Sequence, residues 1–463
     1  MRSSGPSLLC LLLLLSAAGT GQTQARVRDL QRSAETALAK GKFADALADY
    51  QKASALAPRS VPLNLHIGDL YFRLAQFPAA IDYYNRVLQG APQHADATLG
   101  LARAYCGIYN YDECRRLLQK WSKSHPARGA ALVELGKLEI RQQHYDDAIT
   151  QLKQAVQREP GLVEAHVRLG AAYQAKGDED NALEQTNEAL RLDPHSASAH
   201  YFRGLIYSER DDYERAYPDV QEAYRLDPAV LETRVLLGKV ATKLQKCEEA
   251  VEVLKPLTEA PMSEAQNFYL LARAYQCAKQ LDLAEQAQAE FDRRSRQEQS
   301  ARTQKMDADH LAERAAEFAR KNQLAPALDL LGQALAKDPD NGPSLALMAK
   351  IDFSRGDVPK SREEIETALR TSPYNPDYLY VLGKVLEAQQ DWQSALDAFQ
   401  KTVLVNPRES DAYFEMGQIH AKLGDRTKAV AAIKKAVELS PDDADYRKAL
   451  EALARKNVSD GPK

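Results

Sequence analysis

Along most of the chain apolar residues recur at three- and four-residue intervals, so a succession of amphipathic helices is predicted. Ile67, Gly68 and Tyr71 share one face, with Asn64 where an apolar residue usually opens the pattern. Ala80, Tyr84 and Val87 follow at i, i+4 and i+7, which predicts a second helix. Between two such helices stands a breaker, glycine at Gly41, Gly177, Gly356 and Gly424. A glycine there adopts the left-handed conformation that ends a helix. Prolines close the second helix at Pro58, Pro92, Pro126, Pro160, Pro194 and Pro228, each 34 residues after the last. Proline lacks the amide proton and disfavours helix in its predecessor, so the unit is a helix–turn–helix hairpin.

The register can be counted. A small residue precedes each proline by 24 positions: Ala34, Gly68, Ala102, Gly136, Gly170 and Gly204. Twelve positions after each of these comes Ala46, Ala80, Cys114, Ala148, Ala182 or Ala216. The pattern continues at Gly238 and Ala272, then resumes at Ala315, Ala349, Gly383 and Gly417, which makes twelve units. The small residues let two helices approach where a larger side chain would wedge them apart. This pattern resembles the tetratricopeptide repeat, W-x2-L-G-x2-Y…A-x3-F…P. Leu169-Gly170-Ala171-Ala172-Tyr173 with Ala182 and Pro194 matches it, as does Leu382-Gly383 with Ala395, Phe399 and Pro407. The resemblance runs from about residue 27 to 456 and implies an all-α fold. That fold is a right-handed α-solenoid of about twelve repeats with a C-terminal capping helix. Cys114 and Ser361 depart from the usual alanine, and the eighth repeat lacks its closing proline.

The segments outside the register have their own character. Residues 1–21 read as a secretory signal peptide: Arg2, the apolar run Leu8 to Leu15, then Ser16-Ala17-Ala18-Gly19. Cleavage near Ala18 to Gly21 is expected, with a mature chain from about Gln22. The run is shorter than the roughly 20 residues of a membrane-spanning helix. Eight repeats fill 27–291 and four fill 308–443. Between them 292–307 is a polar insertion without glycine or proline, for which an extended helix is expected. A capping helix is expected over 444–456 and a flexible tail over 457–463. Asn457-Val458-Ser459 in that tail fits a glycosylation sequon.

Composition narrows the function classes. A chain of 463 residues exceeds what one core holds, which accords with a stacked array. Net charge is −4 from 61 basic and 65 acidic residues, so no global basic field points to nucleic acid. Without Cys10 four cysteines remain, Cys106, Cys114, Cys247 and Cys277. The first two flank a predicted turn and the others lie near turns of neighbouring repeats. Either pair can bridge, or all four can be free core thiols. No CxxC, HExxH, GxSxG or phosphate-binding loop occurs, and the nine histidines are dispersed. No catalytic, metal or cofactor site is therefore expected. Paired acids at Asp146-Asp147, Glu248-Glu249 and Glu363-Glu364 are read as favouring the positive ends of second helices.

The first helices carry the remaining signal. With the small residue numbered 8 in each repeat, positions 2, 5, 9, 12 and 13 would face the inner groove of proteins of the resembled family. Position 9 holds Arg103, Lys137, Lys239, Arg273, Lys350 and Lys384, and position 5 holds Tyr201, Tyr269, Tyr380 and Phe414. Cations interleaved with flat apolar faces suit an extended peptide with acidic or C-terminal carboxylate groups. The carboxylate clamp of some family members is missing, since its positions hold Gln31, Glu35 and His66. The expectation is a monomeric, non-enzymatic scaffold with protein or peptide partners, in the periplasm or alternatively secreted or in the ER lumen. Assembly or export of envelope components are compatible processes. An enzyme with a site hidden among the repeats and an end-to-end self-assembler are the alternatives.

Overall fold

The computed structural model describes residues 8–259 and 263–459, with side chains over 23–259 and 263–453. Residues 1–7 and the side chains of 8–22, where the expected leader falls, lie outside that description. Among the described residues every regular element is a helix, and none is long and apolar enough to cross a membrane. Two compact units are formed, Met1–Pro126 and Ala127–Lys463. The first holds α1 (Leu8–Ala39), α2 (Phe43–Leu56), α3 (Val61–Arg73), α4 (Phe77–Gly90), α5 (Ala95–Gly107) and α6 (Tyr111–Ser124). The second begins with α7 (Ala130–Arg141), α8 (Tyr145–Arg158), α9 (Val163–Lys176), α10 (Glu179–Leu192), α11 (Ala197–Glu209) and α12 (Tyr213–Leu226). It continues with α13 (Leu231–Lys243), α14 (Cys247–Thr258), α15 (Ala265–Cys277), α16 (Leu281–Arg320), α17 (Leu324–Lys337) and α18 (Gly342–Ser354). The last are α19 (Val358–Thr371), α20 (Pro376–Ala388), α21 (Trp392–Val405), α22 (Ser410–Lys422), α23 (Arg426–Leu439) and α24 (Ala444–Ser459).

Within each unit every helix packs on the next, giving three antiparallel hairpins in the first and nine in the second, with α16 serving in two of them and α24 packing on α23. In the second unit successive first helices also touch, α7 through α15 at every second step and α16, α18 and α20 likewise. Second helices do not approach one another as closely. In the second unit the first helices are therefore the more closely packed, inner layer.

The hairpin geometry follows from two positions in the repeat. At position 8 a Cβ added to Gly136, Gly204, Gly238, Gly383 or Gly417 would overlap Leu152, Val220, Leu254, Phe399 or Ile433 of the facing helix. At Gly170 it would come within 2.9 Å of Thr186 Cγ2. All twelve turns place one residue at positive φ, at the position where Gly41, Gly177, Gly356 and Gly424 were expected to do so. The other eight turns use Ala75, Tyr109, Gln143, Asp211, Gln245, Lys279, Asn322 and Gln390. Left-handed backbone is thus set by the hairpin and imposed on residues that resist it.

Departures from the repeat pattern have local reasons. Ser361 is buried where alanine is usual, and its hydroxyl donates to the Ala349 carbonyl at 2.7 Å. Cys114 forms a disulfide with Cys106, Cα–Cα 5.4 Å, tying the two ends of one turn. Cys247 and Cys277 form a second, Cα–Cα 5.3 Å, which ties one hairpin to the next. Asn64 donates through Nδ2 to the Pro58 carbonyl at 3.0 Å. The same position in later repeats carries His166, His200 and Arg234, which reach the carbonyls of Pro160, Pro194 and Pro228 at 3.0, 3.0 and 3.1 Å. These polar residues fasten the loop that joins neighbouring hairpins, which an apolar residue at the same place cannot do.

The insertion is helical: α16 runs without interruption through 292–307 and supplies a second helix to one hairpin and a first helix to the next. Glu298 accepts from the Ala265 amide at 2.9 Å, and Arg294 donates to the Ser263 carbonyl at 2.7 Å, so its start caps α15. From Arg296 to Asp307 every residue is exposed. The paired acids divide. Asp146-Asp147 and Glu248-Glu249 sit in the first turns of α8 and α14, as expected, but Glu363-Glu364 lie a turn further into α19. Glu364 is buried beside Asp352 and Lys360 instead, so the helix end does not account for it.

Candidate peptide-binding wall

On α13 the buried residues Leu236, Leu237, Gly238, Val240 and Ala241 face the neighbouring helices, and Glu232, Lys239 and Lys243 remain exposed. Position 9 is thus on the solvent side of a first helix, flanked by positions 2, 5 and 13. The ten residues expected on this stripe do not share one environment.

Two of the six cations are neutralised by their neighbours. Lys137 on α7 pairs with Glu134 at 3.2 Å and with Glu164 of α9 at 3.0 Å. Burial opposes ionisation of Glu164, yet Arg168 and Lys137 hold its carboxyl below the usual range. Lys384 on α20 meets Glu387 at 3.0 Å and Glu415 of α22 at 2.7 Å. Burial works against its charge, but those carboxylates hold the ammonium above its ordinary pKa. Lys422 adds a bond to Glu387 at 2.9 Å, closing a network between α20 and α22. Sequence reasoning missed these acids, although Glu164 and Glu415 stand at positions 2 and 6, on or beside the same stripe.

Arg103 is exposed on α5, in the first unit, where its charge acts on the Tyr84 hydroxyl. That hydroxyl donates to Asp69 at 2.8 Å. Lys239, Arg273 and Lys350 are exposed and form no ion pair or hydrogen bond among the described residues. Lys239 and Arg273 belong to consecutive repeats, on α13 and α15, whereas Lys350 lies on α18 in a cavity of about 560 Å³ lined by Asp309, Glu313 and Asp377.

The aromatic residues are partly committed to packing. Tyr269 tilts against Phe291 at 5.4 Å, Tyr380 against Phe399 at 5.6 Å, and Phe414 against Tyr446 of α24 at 4.7 Å. Tyr201 packs edge-on to Phe202 at 5.2 Å; burial, then Glu232 and Glu209, push its hydroxyl pKa up. All four are half-buried, so each leaves part of a ring to solvent. The sector of α11, α13 and α15 therefore combines Tyr201 and Tyr269 with two cations that have no acidic partner. Of Tyr71, Tyr105, Tyr173, Tyr207 and Tyr275, read as packing residues, Tyr173 and Tyr275 are buried and the others half-buried.

Glu139, His144 and Asp147 bring three ligand-type atoms within 4.8 Å of one another. Glu139 already bonds His144 Nδ1 at 3.1 Å, and the group stands at the start of α8, where the helix dipole disfavours a cation. The cluster reads as a turn contact.

Comparison with known proteins identifies the repeats. A family model described as tetratricopeptide repeat matches residues 32–95, 133–197 and 380–444, and a second of the same description matches 75–135 and 319–385. A model described as anaphase-promoting complex, cyclosome, subunit 3 matches 175–257. No curated protein matches the chain. Among solved structures, a tetratricopeptide repeat protein from Parabacteroides merdae ATCC 43184 is 17% identical, with a TM-score of 0.41 over 54% of this chain and 99% of that one. The APC/C hetero-tetramer Cut9-Hcn1 is 14% identical, with a TM-score of 0.35 over 96% and 93%. YrrB, described as a TPR protein with an unusual peptide-binding site, is 21% identical, with a TM-score of 0.28 over 40% and 95%. With repeat matches over 32–197 and 319–444 and the hairpin stack described above, the chain belongs to the tetratricopeptide-repeat proteins.

Proposed function

We propose that the protein is a non-enzymatic adaptor that works outside the cytosol and holds extended acidic segments of partner proteins along α11, α13 and α15. The observation that carries this reading is the pair Lys239 and Arg273, exposed on consecutive first helices with no acidic partner. Tyr201 and Tyr269 flank the pair and offer flat apolar surface at small entropic cost. A preformed wall of packed helices pays little ordering entropy on binding. Placement outside the cytosol draws support from the leader-like segment 1–21 and from the two disulfides, which persist in oxidising compartments.

The test uses a fluorescein-labelled decapeptide of alternating glutamate and alanine and the purified protein. Anisotropy is expected to report binding that weakens about tenfold or more in Lys239→Glu/Arg273→Glu, with an unchanged circular dichroism spectrum. Equal affinity in the double variant would sink the reading. Mass analysis of the exported protein is expected to find its first residue near Gln22; an unprocessed chain retained in the cytosol contradicts the localisation.

A further inference from the structure

The inner wall of the later repeats has a different floor. Positions 5 and 9 there carry Ala312 and Ala316 on α16 and Ala346 on α18, where the other repeats, Ala171 apart, set a larger side chain. The missing side-chain volume leaves an open cavity of about 560 Å³ between α16, α18 and α20, with these alanines and Leu347 among its walls. Asp309, Glu313 and Asp377 line it, and Lys350 is its one cation among the lining residues. Asp309 accepts from Asn341 Nδ2 at 2.7 Å, and the carboxylates of Glu313 and Asp377 have no ion-pair partner among the described residues. Tyr378 lies buried at the same cavity, its hydroxyl pushed up by burial and then by Asp377 and Asp309.

We propose that this cavity is a second binding site, which takes a lysine or arginine side chain from an extended basic segment of a partner protein. It rests on the adaptor reading but uses other helices and the opposite charge. The alanine and leucine floor receives the aliphatic stem of the side chain, as apolar surface does for long cations. The carboxylates at the rim then meet the ammonium or guanidinium group, with a further contact to Asp309 through the lone pairs that Asn341 leaves free. Three carboxylates against one lysine also repel an acidic segment, so the two walls sort their ligands by sign. Lys350, expected from its position to attract acidic peptides, here opposes the ligand that the cavity selects. Alanines at successive wall positions line the cavity, and its carboxylates come from helices on both sides of α18.

The experiment titrates a labelled decapeptide of alternating lysine and alanine, and its glutamate counterpart, into the full-length purified protein at low salt. The basic peptide is expected to bind, and Asp309→Asn/Glu313→Gln/Asp377→Asn to weaken it about tenfold or more. The amide at residue 309 keeps an acceptor for Asn341, and circular dichroism checks the fold of the variant. Lys350→Met, which keeps the stem and removes the charge, is expected to tighten the basic peptide about threefold. Added salt should weaken the interaction, while the acidic peptide should be indifferent to the triple variant. No binding of the basic peptide, or an unchanged affinity in the triple variant together with no gain in Lys350→Met, overturns the second site. Loss of acidic-peptide binding in Lys239→Glu/Arg273→Glu would then show that only this inference has failed, whereas an acidic peptide that ignores that pair defeats the adaptor reading itself.

Discussion

Glu364 shows how a single side chain departs from its repeat. It is buried at the interface of α18 and α19, with Asp352 close by and one lysine, Lys360, shared between them. Its Oε2 is buried without a hydrogen-bond partner. Burial, then the charge of Asp352, raises its carboxyl to about 7 despite Lys360. Between the unfolded value of about 4.5 and 7 the folded state binds more protons than the unfolded one. Stability contributed by the protonated form is therefore present at low pH and is lost as pH rises toward 7. Urea unfolding of Glu364→Gln is expected to remove that decline and to gain on the order of 2 kcal/mol at pH 8 relative to the parent. Parallel pH profiles for the two proteins would refute the assignment. The turns make an equally local prediction. Gln143 is exposed with φ 62°, so Gln143→Gly is expected to stabilise the fold by about 0.5–1 kcal/mol, read from the same unfolding curves. Gly417→Ala, whose Cβ would overlap Ile433, is expected to cost about 2 kcal/mol.

At the scale of elements, α16 is the outlier. Over Arg296 to Asp307 it buries no side chain, so apart from Glu298 on the Ala265 amide and Asp307 on Lys337 its helix rests on its own backbone bonds. Hydrogen exchange is expected to be faster at the amides of 299–306 than within α18, whose Leu345, Ala349 and Ile351 are buried. Equal protection would mean that this stretch packs against something. The disulfides act at the same scale. Cys247–Cys277 closes a loop with a sequence separation of 30 and joins two hairpins; Cys106–Cys114 spans 8 and joins the ends of one turn. Chain entropy assigns them about 3–4 and about 2–3 kcal/mol respectively. Replacing Cys247 and Cys277 by serine should therefore lower the unfolding midpoint more than replacing Cys106 and Cys114.

The architecture was legible at the largest scale because one spacing repeats. Pro58 to Pro228 end helices and the small residues from Ala34 to Gly417 admit a facing helix, so sequence pattern and hairpin coincide, whereas only four of the twelve turns carry the glycine that marks them. The wall was less legible. Lys137 and Lys384 look identical to Lys239 in register, yet carboxylates supplied by the following repeat neutralise them. Such pairing depends on side-chain reach across helices, which a one-repeat pattern does not encode. The same holds for His166 and His200, dispersed in the sequence but each fastening a proline carbonyl at a hairpin junction. Because adjacent repeats supply nearly all contacts, stability of such arrays is close to a sum of local units, and these losses should add only where sites lie apart.

Under the proposed function, the unpaired cations Lys239 and Arg273 hold acidic segments on the inner wall. Hydrogen-exchange mass spectrometry of the protein with and without the glutamate–alanine decapeptide tests it most directly. Added protection is expected over α11, α13 and α15 alone, and its loss in Lys239→Glu/Arg273→Glu. Protection over α20 and α22, where Lys384 is neutralised, or no protection anywhere, would contradict it.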